Sequence, residues 1–151
     1  MTTLRPATSS DAPAMAAIAE QAYAAYLDRM DGQRPAPMDE DYAALVGDAE
    51  AWVAEADGEV VGFLILVPGS ESMLLDGVAI RPSHQGRGLG GRLLTLAEER
   101  ARAAGHTRIS LYTNEAMVEN QRLYERTGYV ETHRARDHGF ARVFYEKPLA
   151  E

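Results

Sequence analysis

Apolar residues follow a helical spacing in the first part of the chain and an extended spacing in the middle. From Met15 to Leu27 they recur every three or four residues, which predicts an amphipathic helix. A glycine and two prolines then break that helix, and Asp39 can cap a short second helix that reaches Val46. Two apolar runs flank Asp57-Gly58, a pair typical of a two-residue hairpin turn.

The second half alternates strands with helices and ends in a hairpin. The helix after Gly88 carries its apolar residues on one face and stops at Gly105. Another helix covers residues 117–127, and the closing hairpin turns near 137–139. The apolar face comprises Leu89, Leu93, Leu96, Ala97, Ala101 and Ala104. The remaining strands are predicted at residues 4–7, 51–55, 60–67, 74–80 and 109–112. The order β-α-α-β-β-β-α-β-α-β-β predicts one α/β domain over residues 1–151, with a mixed sheet and helices on its faces.

Composition narrows the class of protein. Among 151 residues, 46% are apolar and 25% charged, which is typical of a soluble globular domain. No run of about 18 apolar residues and no signal peptide is visible, so we expect a cytoplasmic protein without membrane contact. The chain has no cysteine, which excludes disulfides and thiolate nucleophiles, and its four histidines lack metal-ligand spacing, so we expect no metal.

Charge is distributed unevenly along the chain. The net charge of −8 argues against nucleic-acid binding. Residues 1–76 contain 3 basic and 14 acidic side chains, whereas residues 77–151 contain 12 basic and 9 acidic ones. Within residues 81–108 there are six arginines and two glutamates, which indicates either an arginine-rich helix face in solvent or a segment that meets a polyanion. In the second case the first half would meet a neutral or cationic molecule.

A glycine-rich segment, Gln85–Gly91, lies between a predicted strand and a predicted helix. Its four glycines let backbone N–H groups approach a ligand at a helix N-terminus, an arrangement that favours a diphosphate. Gly86-x-Gly88-x-x-Gly91 also matches the dinucleotide pattern, but about five residues separate it from the strand and the usual acidic residue is missing. The phosphate loop of nucleotide hydrolases requires a Lys-Ser/Thr pair that does not follow here.

The pattern Gln-x-x-Gly-x-Gly, which stands at residues 85–90, resembles that of the GNAT superfamily of acetyl-CoA-dependent N-acetyltransferases. A second block, residues 114–129, is similar to the superfamily's Asn…Leu-Tyr-x-x-x-Gly-Phe/Tyr signature. The resemblance implies a GNAT-like sheet of about seven strands, in which two central parallel strands splay apart around the pantetheine of acetyl-CoA.

The same resemblance implies roles for individual residues on the cofactor side. The loop would bind the diphosphate, the strand backbone would pair with the pantetheine amides, and Asn120 would hydrogen-bond the cofactor, although many members keep this Asn where the chain has Met117. The implied cofactor-binding residues are Val78, Ala79, Ile80, Gln85, Gly86, Arg87, Gly88, Leu89, Gly90, Gly91 and Asn120.

Two residues are candidates for proton transfer. Tyr124 stands where the superfamily keeps a general acid beside the sulfur of CoA, and a phenol can protonate a leaving thiolate. Asp76 lies two residues before Val78, so strand alternation places both on one face and makes Asp76 a candidate general base. Tyr112 occupies another position for a base but is poorly suited at neutral pH, so the identity of the base stays open.

Family architecture places the acceptor against the N-terminal helices, where the candidates are Tyr23, Tyr26, Pro37, Met38 and Tyr42. The charge distribution predicts a cationic acceptor, a primary amine of a small molecule or peptide that is positively charged when free. Acidic residues expected near the mouth of its site are Asp28, Asp31, Asp39, Glu40 and Asp41. Two alternatives remain: a non-catalytic CoA-binding regulatory or interaction module, and transfer to an oxygen acceptor. A homodimer through edge strands also stays open.

Overall fold

Seven strands make one mixed sheet in a computed structural model that describes residues 2–149. The strands are β1 (Thr2–Pro6), β2 (Glu50–Ala56), β3 (Glu59–Pro68), β4 (Met73–Ile80), β5 (Arg108–Asn114), β6 (Val130–Asp137) and β7 (Phe140–Pro148). Their order across the sheet is β1-β2-β3-β4-β5-β7-β6. Only the central pair β4–β5 is parallel, and every other neighbouring pair is antiparallel.

Four α-helices cover the two faces of the sheet. They are α1 (Ala12–Tyr23), α2 (Tyr42–Asp48), α3 (Leu89–Ala103) and α4 (Val118–Arg126). The apolar residues of α1 and α2 form one core cluster with one face of the sheet. Those of α3, together with Tyr124 of α4, form a second cluster on the other face. The predicted α/β class, with a mixed sheet between helices, is confirmed.

Two predictions about the N-terminal helices were wrong. The first α-helix ends at Tyr23, and 3-10 turns at 24–26 and 28–30 continue the chain. Apolar residues three positions apart suit a 3-10 turn as well as an α-helix, so periodicity could not distinguish the two. The cap of α2 is Asp41, whose carboxylate accepts a hydrogen bond from the Ala44 amide at 3.1 Å, whereas Asp39 is paired with Arg34.

The face of α3 also differs from the prediction at two positions. Leu94 is buried in the core, whereas Ala104 is exposed beyond the last turn. Both predicted hairpins are present, and each turns through two successive residues with positive φ. These are Asp57 and Gly58 in the first hairpin and His138 and Gly139 in the second. That geometry matches the right-handed twist of the flanking strands.

The parallel pairing between β4 and β5 is short. It joins residues 73–75 of β4 to residues 109–111 of β5 and extends no further. Beyond Leu75 the two strands diverge, so the rest of β4 has a paired neighbour only in β3. The centre of the sheet therefore contains an open gap.

A β-bulge lies in β4 where this gap begins. Leu66 pairs with Leu75 and Ile65 with Gly77, which leaves Asp76 as the extra residue. Leu75 and Val78 consequently pack against the same core cluster, although they are three residues apart. The prediction that Asp76 and Val78 lie on one face of β4 was therefore wrong. It assumed strict alternation, and the bulge reverses the face on which the later side chains lie.

Candidate functional site

The gap between β4 and β5 opens into two adjoining cavities. The large cavity, of about 680 Å³, lies on the side of α3 and the glycine-rich loop. The small cavity, of about 70 Å³, lies on the side of α2 and the turns that precede it. Four residues line both cavities and form the wall where they meet: Tyr23, Val78, Asn120 and Tyr124.

The glycine-rich loop forms one end of the large cavity. Gly86 and Gly88 have φ values of +79° and +80°, which favour glycine, and a Cβ on either would meet no atom within 4 Å. Gly88 is the N-cap of α3, so the loop leads directly into the positive end of that helix dipole. The loop residues that line the cavity are Gln85, Gly86, Gly88, Gly90 and Gly91.

Two of the predicted loop residues point elsewhere. Leu89 is buried in the core cluster beside α3. Arg87 lines a separate shallow pocket together with His84 and Arg92. Neither side chain lines the large cavity, so any contribution of these two residues to a ligand there would come from their backbone.

The free edge of β4 forms the floor of the large cavity. The Val78 carbonyl accepts a hydrogen bond from the Tyr23 hydroxyl at 3.2 Å, and the Ile80 carbonyl accepts one from Gln85 Nε2 at 3.0 Å. Both carbonyls therefore point into the gap and away from β3. In an extended strand the N–H of a residue points the same way as its C=O, so the amides of Val78 and Ile80 also face the cavity. Ala79, which lies between them, is buried.

Tyr124 stands at the junction of the two cavities. Its ring packs edge-on against Tyr129 at 5.9 Å and lies 6.3 Å from the Tyr145 ring, which fixes its orientation. Its hydroxyl makes no hydrogen bond to any residue within 2–149. Burial raises the pKa of the Tyr124 phenol above its usual value, so the group stays protonated at neutral pH.

Asn120, which also lines both cavities, lies one turn before Tyr124 on α4. Its Nδ2 atom is 3.7 Å from the sulfur of Met117, the residue at the position where many superfamily members carry the asparagine. Both Met117 and Asn120 line the small cavity, and Asn120 also reaches the large one. The chain thus keeps an amide at the junction, one helical turn from the more common position.

The charged side chains that line the small cavity are two carboxylates, Glu40 and Asp76, and one guanidinium, Arg142. The Tyr112 hydroxyl donates a hydrogen bond to Asp76 Oδ1 at 3.3 Å, and burial together with the Asp76 charge raises the pKa of Tyr112 to about 12. Glu40 lines the same cavity, and its pKa is raised by burial and then by the charge of Asp76, while Arg142 opposes the rise. The cavity therefore contains carboxylates that can accept hydrogen bonds from an ammonium group, together with one cationic side chain, that of Arg142.

The acceptor residues expected from the sequence are divided between the two cavities. Tyr42 and Pro37 line the small cavity, and the Tyr42 hydroxyl donates to the Pro37 carbonyl at 2.6 Å. Tyr23 lines both cavities, whereas Tyr26 lines only the large one. Met38 is buried in the core cluster beside α1 and lines none of the cavities.

Of the five carboxylates expected near the mouth, only Glu40 lines the small cavity. Asp39 pairs with Arg34 and Asp41 caps α2, so both are committed to local structure. The sequence interpretation missed Arg142, which it treated only as part of an edge hairpin. A signal was present, because Arg142 alternates with Phe140 and Phe144 and so shares a face of β7 with apolar residues.

Two features are absent from residues 2–149. None of the helices in that part of the chain is both long and apolar enough to cross a lipid bilayer. Within the same residues, no three His, Asp or Glu side chains converge in a way that could hold a metal ion.

Comparison with known proteins agrees with this architecture. The sequence model of the acetyltransferase (GNAT) family matches residues 15–129. The chain is 36% identical over 134 residues to the uncharacterized N-acetyltransferase YjgM of Escherichia coli (strain K12), an alignment that covers 83% of this chain and 80% of that protein. Its fold is similar to that of the ribosomal-protein-S18-alanine N-acetyltransferase of Escherichia coli, with a TM-score of 0.81, 20% identity, and coverage of 100% and 96% of the two chains. A GNAT family acetyltransferase from Elizabethkingia anophelis, solved with acetyl-CoA bound, gives a TM-score of 0.73 at 17% identity and covers 98% of each chain.

Proposed function

The chain belongs to the GNAT acetyltransferase family, and from this we propose that it transfers the acetyl group of acetyl-CoA to a primary amine. The observation that carries the proposal is the junction of the two cavities at Tyr124. A large cavity with a glycine-rich loop suits the nucleotide thioester, and a small cavity with two carboxylates suits the amine. The reacting groups would meet where the cavities join.

The residues around the large cavity fit acetyl-CoA. Gly86 and Gly88 leave open space where any other residue would place a side chain, at the positive end of α3. The amides of Val78 and Ile80 face the gap without a strand partner, so they can pair with the amides of the pantetheine arm. We assign the diphosphate to the loop, the arm to β4 and a further hydrogen bond to Asn120.

In the proposed reaction, acetyl-CoA supplies an acetyl thioester whose C–S bond breaks as the amine nitrogen forms the new C–N bond. The ammonium loses two protons in all: Asp76 accepts the first, directly or through water, and later releases it to solvent, and the second leaves to solvent once the C–N bond has formed. Tyr124 donates its hydroxyl proton to the departing sulfur and is reprotonated from solvent. Overall, an ammonium and a thioester give an amide, a thiol and one proton.

On the acceptor side, Glu40 and Asp76 favour an amine that arrives as an ammonium ion. At an effective dielectric constant of about 20, a pair of unit charges at 4 Å is worth roughly 4 kcal/mol before desolvation. Salt weakens this attraction, so its main effect is on the association rate. Tyr23 and Tyr42 form apolar walls beside these carboxylates and are proposed to contact the acceptor, while Tyr26 and Met38 belong to the surrounding shell.

The proposal is tested by binding and turnover together. Acetyl-CoA at about 100 times its Kd is expected to stabilise the fold by about 2.7 kcal/mol, which raises Tm by roughly 5–10 °C in a chain of this size. NADH and ATP at equal concentration are expected to stabilise it far less, because the loop lies too far beyond its strand for the dinucleotide pattern. A panel of amines then distinguishes an acetyltransferase from a CoA-binding regulatory module, which would give the same Tm shift without product.

Asp76→Asn tests the assignment of the general base. We expect kcat/KM to fall by about 10²-fold at neutral pH, because the variant lacks the carboxylate that would take the proton from the amine. The measurement is kcat/KM with one amine.

Glu40→Gln is the matched control, because it removes the same charge from the same cavity and leaves Asp76 in place. The control is expected to lose far less of its kcat/KM than Asp76→Asn. If Glu40→Gln loses about 10²-fold and Asp76→Asn keeps the wild-type value, Glu40 is the base.

A further inference from the structure

Arg142 combines deep burial with exposure to the small cavity. Its side chain is only 8% exposed, yet it lines that cavity beside Tyr112 and Glu40. The guanidinium lies 4.2 Å from the centre of the Tyr112 ring and 5.4 Å from that of Phe140, so two aromatic rings hold it in place.

Most of the hydrogen-bonding capacity of Arg142 is unused. A guanidinium has five N–H donors, and within residues 2–149 the one acceptor it reaches is Asp137 Oδ2, at 2.8 Å from Nη1. The buried side-chain atoms without a partner in that part of the chain are Arg81 Nε and Tyr129 Oη, so no Arg142 nitrogen is sealed inside the protein. The remaining donors of Arg142 are therefore open to solvent, and the residue lines the small cavity.

Stability alone does not account for this arrangement. The Asp137 side chain is 42% exposed, so solvent screens its attraction to Arg142, whereas burial of the guanidinium still costs desolvation. A rigid fork of spare donors is instead the arrangement that binds a carboxylate in a bidentate manner. The wall of the small cavity thus presents a binding group for an anion as well as the carboxylates suited to an amine.

The two kinds of group lie on either side of one side chain. The Tyr112 hydroxyl contacts Asp76, and the face of the same ring contacts Arg142. Asp76 at the hydroxyl of Tyr112 and Arg142 over its ring both line the small cavity, so one short molecule that carries an amine and a carboxylate could reach both.

Building on the proposed acetyl transfer, we propose that the acceptor is an amino acid or a similar small zwitterion, whose carboxylate binds Arg142 while its amine lies at Asp76 and Glu40. The cavity volume of about 70 Å³ admits a short group between these ends. The amine of this acceptor is positively charged when it enters, which suits Asp76 and Glu40. Its carboxylate is the negatively charged end, which binds Arg142. Arg142 is in this role a specificity-determining residue.

The test compares amines that differ only in a carboxylate. Suitable pairs are β-alanine with ethylamine and 4-aminobutyrate with propylamine, with kcat/KM expressed per unprotonated amine. The wild-type protein is expected to prefer the carboxylated member by roughly 10–100-fold, the range for hydrogen bonds to a charged group. In Arg142→Gln that ratio is expected to fall towards one. Arg134→Gln is the control, because it removes an exposed arginine of β6 that lines no cavity.

Each outcome decides a different point. Equal or lower kcat/KM for the carboxylated amines in the wild-type protein would overturn the zwitterion proposal, and this comparison needs no variant that might unfold. An undiminished ratio in Arg142→Gln, with acetyl-CoA still raising its Tm, would also overturn it. Acetylation of plain amines without any carboxylate preference would leave the proposed transfer intact. Acetylation of no amine at all would overturn both.

Discussion

Tyr124→Phe is expected to lower kcat by roughly 10²–10⁴-fold while the affinity for acetyl-CoA stays close to that of the wild-type protein. The substitution removes one hydroxyl and keeps the ring, which packs between Tyr129 and Tyr145. Because the Tyr124 hydroxyl bonds to no residue within 2–149, its loss leaves no broken contact in the fold. The measurement is single-turnover acetylation, alongside the Tm shift produced by acetyl-CoA.

Tyr129→Phe provides the matched control for this prediction. Tyr129 is also buried, contacts Tyr124 edge-on, and has a buried hydroxyl without a partner, yet it lines neither the large nor the small cavity. Removing a hydroxyl that makes no hydrogen bond is expected to leave kcat unchanged and stability equal or slightly higher. If Tyr124→Phe left the rate of the chemical step unchanged, Tyr124 would be a packing residue like Tyr129.

Gly88→Ala is expected to raise the Kd for acetyl-CoA by roughly 10²-fold. The added Cβ would project from a backbone with φ of +80° into the open space of the loop, where it would hold a phosphate away from the amides at the start of α3. Losing about two charge-assisted hydrogen bonds accounts for a change of this size. At the concentration that stabilises the wild-type protein by about 2.7 kcal/mol, the variant would gain only about 0.4 kcal/mol.

Gly105→Ala separates this effect from backbone strain. Gly105 has a φ of +86° and a Cβ there would also meet no atom within 4 Å, but it lies at the opposite end of α3 and lines none of the cavities. Both variants are expected to lose about 1–2 kcal/mol of stability through the left-handed conformation. Only Gly88→Ala should lose the Tm shift caused by acetyl-CoA. An equal shift in both variants would mean that the loop does not bind the cofactor.

Local patterns in the sequence predicted most of the fold. The two hairpin turns and the end of α3, two residues before Gly105, depend on neighbouring residues, so they could be predicted from short segments. The end of α1 could not, because 3-10 turns place apolar residues at spacings that also suit an α-helix. The bulge at Asp76 could not be predicted either, since it depends on how β3 pairs with β4 rather than on β4 alone.

The candidate site, too, could be predicted from the sequence only in part. The loop residues are consecutive in sequence, and five of the seven line the large cavity. The small cavity instead brings together Glu40, Asp76, Tyr112 and Arg142 from four separate segments. Their proximity follows from the strand order β4-β5-β7, which is a property of the tertiary structure. A single sequence does not show which strands become neighbours in the sheet.

The parallel pairing between β4 and β5, which is only three residues long, also affects the local stability of the sheet. In most sheets the central amides exchange their hydrogens most slowly with water and the outer strands open first. Here the amides of Val78 and Ile80 have no strand partner across the gap, although they lie in the middle of seven strands. These two amides are therefore expected to exchange faster than the paired amides of β3 beside them. Fewer strand hydrogen bonds hold the sheet where the proposed chemistry takes place, and a bound ligand would supply the missing strand contacts.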